Sequence, residues 1–289
     1  MALLDPIDGS PSGGSSTRRG ASPTGKQLLR ASFELFRANR RMIWLPIMAG
    51  ISSAVAFLAI SGLVAVPLVK AYGSSRLDVL YLYPGLVASS FLGAYFNLAL
   101  VFAANEQIEG RFIGIPEALA MAWARRRVIF SWALLSATVG VVIQFVDRRL
   151  GIFGRLAGVL GGLAWAIANY MVIPILAFED VGPVEAVKHS SHLLKTTFGS
   201  LARGALRFGA LLVVWMIPAV VLIAVGAGMA SAGSTLVGLA VAGIGVIGFF
   251  VVSMYVSAAG MYMRTILYRY ATGKSVPEMG LDLSQTFTR

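Results

Sequence analysis

Residues 208–263 form a run of 56 positions without a single charged side chain. About 20 apolar residues in a helix already cross the roughly 30 Å hydrocarbon layer of a bilayer, so a run of this length holds two crossings and must turn back. The small and polar stretch 229–235 (Met-Ala-Ser-Ala-Gly-Ser-Thr) is the place for that turn. Four further uncharged runs, 42–69, 79–105, 128–146 and 156–178, each have the length of one span. The expected fold is an all-α, polytopic membrane bundle of six transmembrane helices, about 42–69, 79–105, 128–146, 156–178, 208–230 and 235–263, paired as three helical hairpins. With 57% hydrophobic and 13% charged residues, the chain departs from soluble domains, where about 25% of residues are charged.

The basic excess has a topological reading. Of 24 Lys and Arg residues, 19 fall in the segments on one side of these spans and five (Lys70, Arg76, Arg148, Arg149 and Arg155) on the other. Positive charge accumulates on the cytoplasmic side, which puts both termini there and the protein in a bacterial cytoplasmic membrane. Clusters such as Arg37-Arg40-Arg41 and Arg125-Arg126-Arg127 suit anionic lipid headgroups. Topology accounts for the net charge of +11 without nucleic acid. The absence of cysteine excludes disulfides, thiolate metal sites and a cysteine nucleophile.

Residues 1–25, rich in Gly, Ser, Pro and Thr, are expected to be a disordered cytoplasmic tail, followed by a membrane domain over 26–276 and a C-terminal tail over 277–289. No signal peptide is expected, because the first apolar run begins near Met42 and is long enough to remain as a span. Residues 25–41 read as an amphipathic interfacial helix with Leu29, Phe33 and Phe36 on one stripe. The same kind of segment recurs twice. Gly114-Ile115-Pro116-Glu117-Ala118-Leu119 and Gly182-Pro183-Val184-Glu185-Ala186-Val187 share Gly, Glu and Ala at an offset of 68. Each proline sits where a first helical turn tolerates its missing N–H. The expected apolar stripes are Leu119, Ala122 and Trp123 in the first, and Val184, Val187, Leu194 and Phe198 in the second. The implied unit is interfacial helix, span, span, repeated three times. Tyr95-Phe96-Asn97 and Asn169-Tyr170 echo one another inside the second and fourth spans.

The stretch 169–199, with Asn169, Pro174, Glu179, Gly182-Pro183, Ala186, Ser190, Leu193, Thr197 and Gly199, resembles a family of uncharacterised six-span membrane proteins frequent in actinobacteria. So does the ending Tyr268-Arg269-Tyr270-Ala271-Thr272-Gly273. More distantly, the chain is similar to the membrane domain attached to some glycerophosphodiester phosphodiesterases. The resemblance implies a fold and no activity, since no extramembrane segment is long enough for the catalytic barrel of those enzymes.

Asn97 and Asn169 are the most polar side chains deep in the spans, and with Pro174 they form a candidate intramembrane polar site. An amide in hydrocarbon needs a partner, so both are expected to face the bundle interior and bond across helices. Glycines at 154, 158 and 162, and Gly238, Ala242, Gly245 and Gly248, suggest close helix approach. Pro46, Pro67, Pro174 and Pro218 are expected to kink or loosen their spans. At the cytoplasmic exits, Glu106, Glu109, Glu179 and Asp180 are expected to pair with Arg or Lys of the surface helices and set the elbow angle. Glu185, His189 and His192 share one helical face, a spacing zinc accepts, but that face is the polar side of an amphipathic helix, and no metal or cofactor is assigned. No phosphate-cradling glycine motif and no Ser/His/Asp set on plausible spans appears. The spans hold no acid of the kind that marks ion or proton paths. The leading expectation is a non-catalytic scaffold or accessory protein organising lipids or a protein partner. The alternative is a transporter or channel for a small or amphipathic molecule.

Overall fold

The computed structural model describes residues 39–73, 78–149, 151–197 and 202–274. The tails over 1–25 and 277–289, and nearly all of the interfacial helix expected over 25–41, lie outside the described residues. A short 3-10 turn, Arg40–Ile43, leads into α1 (Trp44–Tyr72). There follow α2 (Asp78–Tyr81), α3 (Tyr83–Ile108), α4 (Ile115–Ala124), α5 (Arg126–Arg149) and α6 (Gly151–Ala168). The chain ends in α7 (Val172–Phe178), α8 (Pro183–Thr197), α9 (Ala202–Ser231) and α10 (Thr235–Ala271). No strand occurs among the described residues.

Five segments, Arg41–Tyr72, Tyr83–Ile108, Arg126–Asp147, Leu156–Phe178 and Thr235–Ala271, are long and apolar enough to cross a membrane. Helix α9 has 30 residues, and Met216–Ser231 within it is apolar. Large apolar side chains stand outside throughout, with Leu63 at 77% and Leu236 at 85% exposure, a surface suited to lipid. These features suggest a membrane helix bundle.

The core gathers around α3, where every residue from Leu98 to Ala104 is buried. A helix enclosed on all sides must have neighbours all round, and α3 packs on α1, α4, α5, α7 and α10. Its alanines, Ala99, Ala103 and Ala104, let those neighbours come close. Around it, α1 pairs with α3, α5 with α6, and α9 with α10. In the first pair, a Cβ at Gly85 would strike the Ser61 side chain and stand 3.0 Å from the Phe57 carbonyl oxygen. In the second, Trp132 stacks on Trp165 with ring centroids 5.7 Å apart. The glycine stripe expected at 154, 158 and 162 is only partly a seam. A Cβ at Gly158 would come within 3.1 Å of the Asp147 Cβ, whereas Gly162 faces open space, because the seam follows Gly158 and Gly161.

The third pair is the tightest. Added Cβ atoms at Gly226 and Gly238 would run into the backbones of Ala242 and Ala230, and one at Gly245 would lie 2.9 Å from the Ala219 carbonyl oxygen. Gly238, Ala242 and Gly245 thus lie on the seam, and the chain reverses just before them through Ala232, Gly233 and Ser234. Of the four prolines expected to kink spans, only Pro174 accompanies a break. Pro46 occupies the first turn of α1, and Pro67 and Pro218 lie within uninterrupted helices. The fourth span divides at Asn169–Met171 into α6 and α7, because Pro174 has no N–H for the Tyr170 carbonyl four residues before it.

Both internal surface helices form where expected, and much of each expected stripe packs on the core, Leu119 and Ala122 in α4 and Val187 and Leu194 in α8, while Phe198 lies outside the described residues. In α4 the buried residues are Ala118 and Ala122, and in α8 they include Ala186, Ser190 and Leu193, while Trp123 and Val184 stay exposed. Small residues let a short helix lie close on the bundle, and the large ones remain outside. Ala118 with Ala186, and Ala122 with Ser190, fall at the same offset of 68, and all four are fully buried. The repeat therefore extends to packing.

Gly226→Val is expected to lower the stability of the α9–α10 pair by about 1–3 kcal/mol through backbone collision. Gly243→Ala, placed in open space, is expected to be tolerated. Melting temperatures of the two variants in one detergent check the contrast.

Candidate functional site

Polar side chains gather at the end of the bundle where α3, α7 and α10 finish. Glycine closes two of these helices. Gly110 and Gly273 take φ of +80° and +69°. Each allows the doubled backbone bond of a Schellman cap, Arg111 N–H to Glu106 O (2.8 Å) in one case and Lys274 N–H to Arg269 O (2.9 Å) in the other. With the chain stopped so sharply, side chains of the last turns are held beside one another.

Two consecutive residues of α10 tie the other two helix ends. The Arg269 guanidinium, only 5% exposed as a residue, donates through Nη1 to Asn105 Oδ1 (2.6 Å) and to Glu109 Oε1 (2.7 Å). Asn105 Nδ2 donates to the same Glu109 oxygen at 3.3 Å. The Tyr268 hydroxyl donates to Glu179 Oε1 at 2.9 Å, and its ring stacks on Phe178 at 5.6 Å. Adjacent helical residues point about 100° apart, which is how one turn reaches both exits. The second Glu179 oxygen accepts from His189 Nδ1 at 2.7 Å, bringing in α8. Arg125, the C-cap of α4, donates to the Glu179 carbonyl and to Asp180 Oδ1, each at 3.2 Å. Deeper, Tyr262 donates to Gln107 Oε1 at 3.0 Å, joining α10 to α3 within the core.

The surface helices are also pinned to the spans before them. The Tyr95 hydroxyl donates to the Leu119 carbonyl at 3.1 Å, tying α3 to α4. In the next repeat the Met171 N–H, freed by the break in the fourth span, donates to Ser190 Oγ of α8 at 3.1 Å.

The candidates read from sequence separate into three groups. Glu109, Glu179, Asp180 and His189 come together in this clasp. Glu106 forms a local ion pair with the exposed Arg111. Glu185 and His192 lie exposed on α8 apart from that contact, and no group of three His, Asp or Glu side chains able to hold a metal occurs among the described residues. Asn97 and Asn169 are half-buried and not joined. With its amide oriented to satisfy both ends, Asn169 donates to the Ala166 carbonyl and accepts from Trp165 Nε1, each at 3.1 Å, so its partners lie on its own span rather than across helices. A cavity of about 600 Å³ between α1, α3 and α5 is lined by apolar and aromatic residues, including Ile60, Val87, Phe91 and Phe130, and by neither asparagine.

Sequence reasoning missed Tyr268 and Arg269 as ties, although the ending 268–273 had stood out. It also took Arg125 as a headgroup contact, whereas Arg125 turns onto Asp180 and the neighbouring Arg126 lies over Trp123 at 5.7 Å. The one available signal was periodicity, since Tyr262 and Arg269 recur seven residues apart on a helix that continues eight residues beyond the last uncharged position.

Residues 74–276 match DUF6159, a family of unknown function. The chain belongs to that family. The matched region holds every residue of the clasp, from Asn105 to Lys274, and leaves out α1. No curated protein and no solved structure matches the chain.

The Glu109 carboxyl is held below the ordinary carboxylate range, first by the Arg269 hydrogen bond, working against partial desolvation, with the Arg269 charge, Asn105 and Arg111 adding to it. A depressed folded value means that the ion pair stabilises above the ordinary carboxylate pKa and that this contribution is lost as pH falls through the folded value. Its size is limited by solvent, since the Glu109 side chain is 45% exposed. Glu109→Gln is therefore expected to melt below wild type at neutral pH, with the gap closing in acid. Arg269→Gln is expected to cost about 1–3 kcal/mol, because Asn105 and Glu109 lose a charged donor. Melting curves across pH for both variants check these outcomes.

Proposed function

We infer that the protein is a non-catalytic scaffold or accessory protein of a bacterial cytoplasmic membrane, with both termini cytoplasmic. It organises lipids or a protein partner through its basic face. The observation that carries this reading is where the reactive side chains are spent. The carboxylates of Glu109, Glu179 and Asp180 and the His189 ring each bond to another element of the bundle. Groups committed to holding helices together are poorly placed for acid–base chemistry, which needs a proton within reach of a substrate. The exposed basic side chains, such as Arg126 and Arg127 at the start of α5, lie on the side where anionic lipid would meet them.

A second reading, a transporter or channel for a small or amphipathic molecule, draws on the break at Asn169–Met171. Discontinuous helices with free backbone groups form substrate sites in many carriers. Here, however, the Met171 N–H is bonded to Ser190.

Extraction into native nanodiscs followed by mass spectrometry separates the two. Retained anionic lipid or a co-purified membrane protein supports the scaffold; a stoichiometric small molecule supports the carrier. Asn97→Leu combined with Asn169→Leu is expected to leave assembly intact. Loss of a measured transport activity in that double variant would overturn the scaffold reading.

A further inference from the structure

The cleft between α1, α3 and α5 follows from how the three helices meet. Helices α1 and α5 each pack along α3, with little contact between themselves. On the α1–α3 seam the backbones come close, with Ser53 Oγ donating to the Ser89 carbonyl at 3.1 Å and Gly85 set against Phe57 and Ser61. Beside that seam the small side chains of Ala56 and Ala88 leave room, and Ile60, Phe91 and Phe130 wall the cavity of about 600 Å³. Phe130 is half exposed, so the cleft opens sideways from the bundle. An apolar cleft holds water poorly, and left empty it forfeits van der Waals contacts on its walls. A hydrocarbon chain suits it.

The two ends of the cleft differ in chemistry. At one end stands Tyr83, whose hydroxyl bonds to Thr138 Oγ1 at 3.0 Å; Thr138 donates to the Leu134 carbonyl at 2.8 Å and so accepts from Tyr83. This link joins α3 to α5 and closes that end with both hydroxyls paired. At the other end a line of rings leads out. Phe130 lies edge-on to Phe91 (centroids 6.4 Å apart), Phe91 stacks on Tyr95 (6.4 Å), and Tyr95 lies edge-on to Trp123 (6.0 Å). The line finishes at Arg126, whose guanidinium carbon is 5.7 Å from the Trp123 ring centroid. Both residues are exposed, and neither Arg126 nor Arg127 forms an ion pair among the described residues. Arg126 Nη1 donates to the Trp123 carbonyl at 3.4 Å, which leaves most of the guanidinium fork for an outside acceptor.

Depth along α5 ties the two ends together. Phe130 lies one turn beyond Arg126 and Thr138 three turns beyond, about 6 Å and about 18 Å along the axis. Half of the hydrocarbon layer is about 15 Å. The cleft thus covers the depth of one leaflet, from beneath an exposed cation to a closed end near the midplane. We propose that it holds one acyl chain of an anionic phospholipid from the Arg126 side of the membrane, with the headgroup phosphate on the Arg126 guanidinium. A guanidinium meets a phosphate through paired N–H donors, and the charges are complementary. This site names the lipid partner in the lipid-organising reading and rests on that reading.

The test uses the full chain in nanodiscs of equimolar phosphatidylglycerol and phosphatidylcholine, re-extracted into detergent and weighed by native mass spectrometry. Wild type is expected to retain a lipid, with phosphatidylglycerol favoured. Arg126→Gln is expected to keep the lipid but lower that preference about fivefold, the factor for about 1 kcal/mol per basic residue at an anionic surface. Ala88→Phe fills the cleft and is expected to lose the lipid of either kind. Leu63→Phe, at an outward position of α1, is expected to retain it as wild type does. A folded Ala88→Phe that retains as much lipid as wild type overturns the proposal, as does wild type that holds the two lipids equally. If Ala88→Phe fails to fold, Arg126→Gln decides, and an unchanged preference overturns the proposal. A dimer mass with no retained lipid, abolished by Ala88→Phe, assigns the cleft to a second copy and overturns the lipid. Wild type that carries a protein partner and no lipid removes this site and leaves the scaffold reading standing. Retention that follows both substitutions, with transport lost in the Asn97 and Asn169 double variant, upholds the site and removes the scaffold reading.

Discussion

In a bilayer, apolar side chains gain nothing by leaving lipid for protein, so helices stay together through close backbone approach and polar bonds. Both devices are present here, at different places. The α9–α10 pair uses the first, with Gly226 and Gly238 bringing backbones into contact. The clasp uses the second, with Tyr268, Arg269 and Arg125 bonded to residues far away in sequence. The buried hub of α3 depends on both, since its enclosing helices are otherwise free to slide in an apolar medium.

Much of the architecture was legible because membrane spans declare themselves by composition. Charge-free runs such as 156–178 and the segments opening at Gly114 and Gly182 became helices at those positions. Span length is set by bilayer thickness and needs no tertiary information. The stripes of α4 and α8 were legible in part: Leu119, Ala122, Val187 and Leu194 pack on the core, Trp123 and Val184 stay exposed, and the most deeply buried positions, Ala118, Ala122, Ala186 and Ser190, are small. Of the prolines, Pro174 accompanies a break, where Ser190 accepts the freed Met171 N–H, while Pro67 and Pro218 lie within continuous helices.

The polar site was legible in kind and not in pairing. Acids at the ends of spans two and four were expected to meet Arg or Lys of the surface helices; Asp180 meets Arg125 at the end of α4, whereas Glu109 meets Arg269 of α10 and Glu179 meets Tyr268 and His189. Which basic groups depends on how the last helix returns to the bundle, and no local pattern in the chain encodes that. Arg269 and Glu109 are 160 residues apart, and the tie between them exists only once α10 packs against α3. Asn169 shows the opposite case, an amide that looked available for distant bonds and is satisfied within its own span by Trp165.

Tyr268 and Arg269 come after α3 and α7 in chain order, which has a consequence for assembly. Synthesis proceeds from the N-terminus, so α3 and α7 are made and can enter the membrane long before residues 268 and 269 leave the ribosome. Until then Glu109 and Glu179 lack their α10 partners, and the ends of the hub helices are held only from one side. Helix α10 acts as a keystone: its arrival joins the ends of helices already inserted, so a single turn, Tyr268 and Arg269, holds the exits of α3 and α7 together.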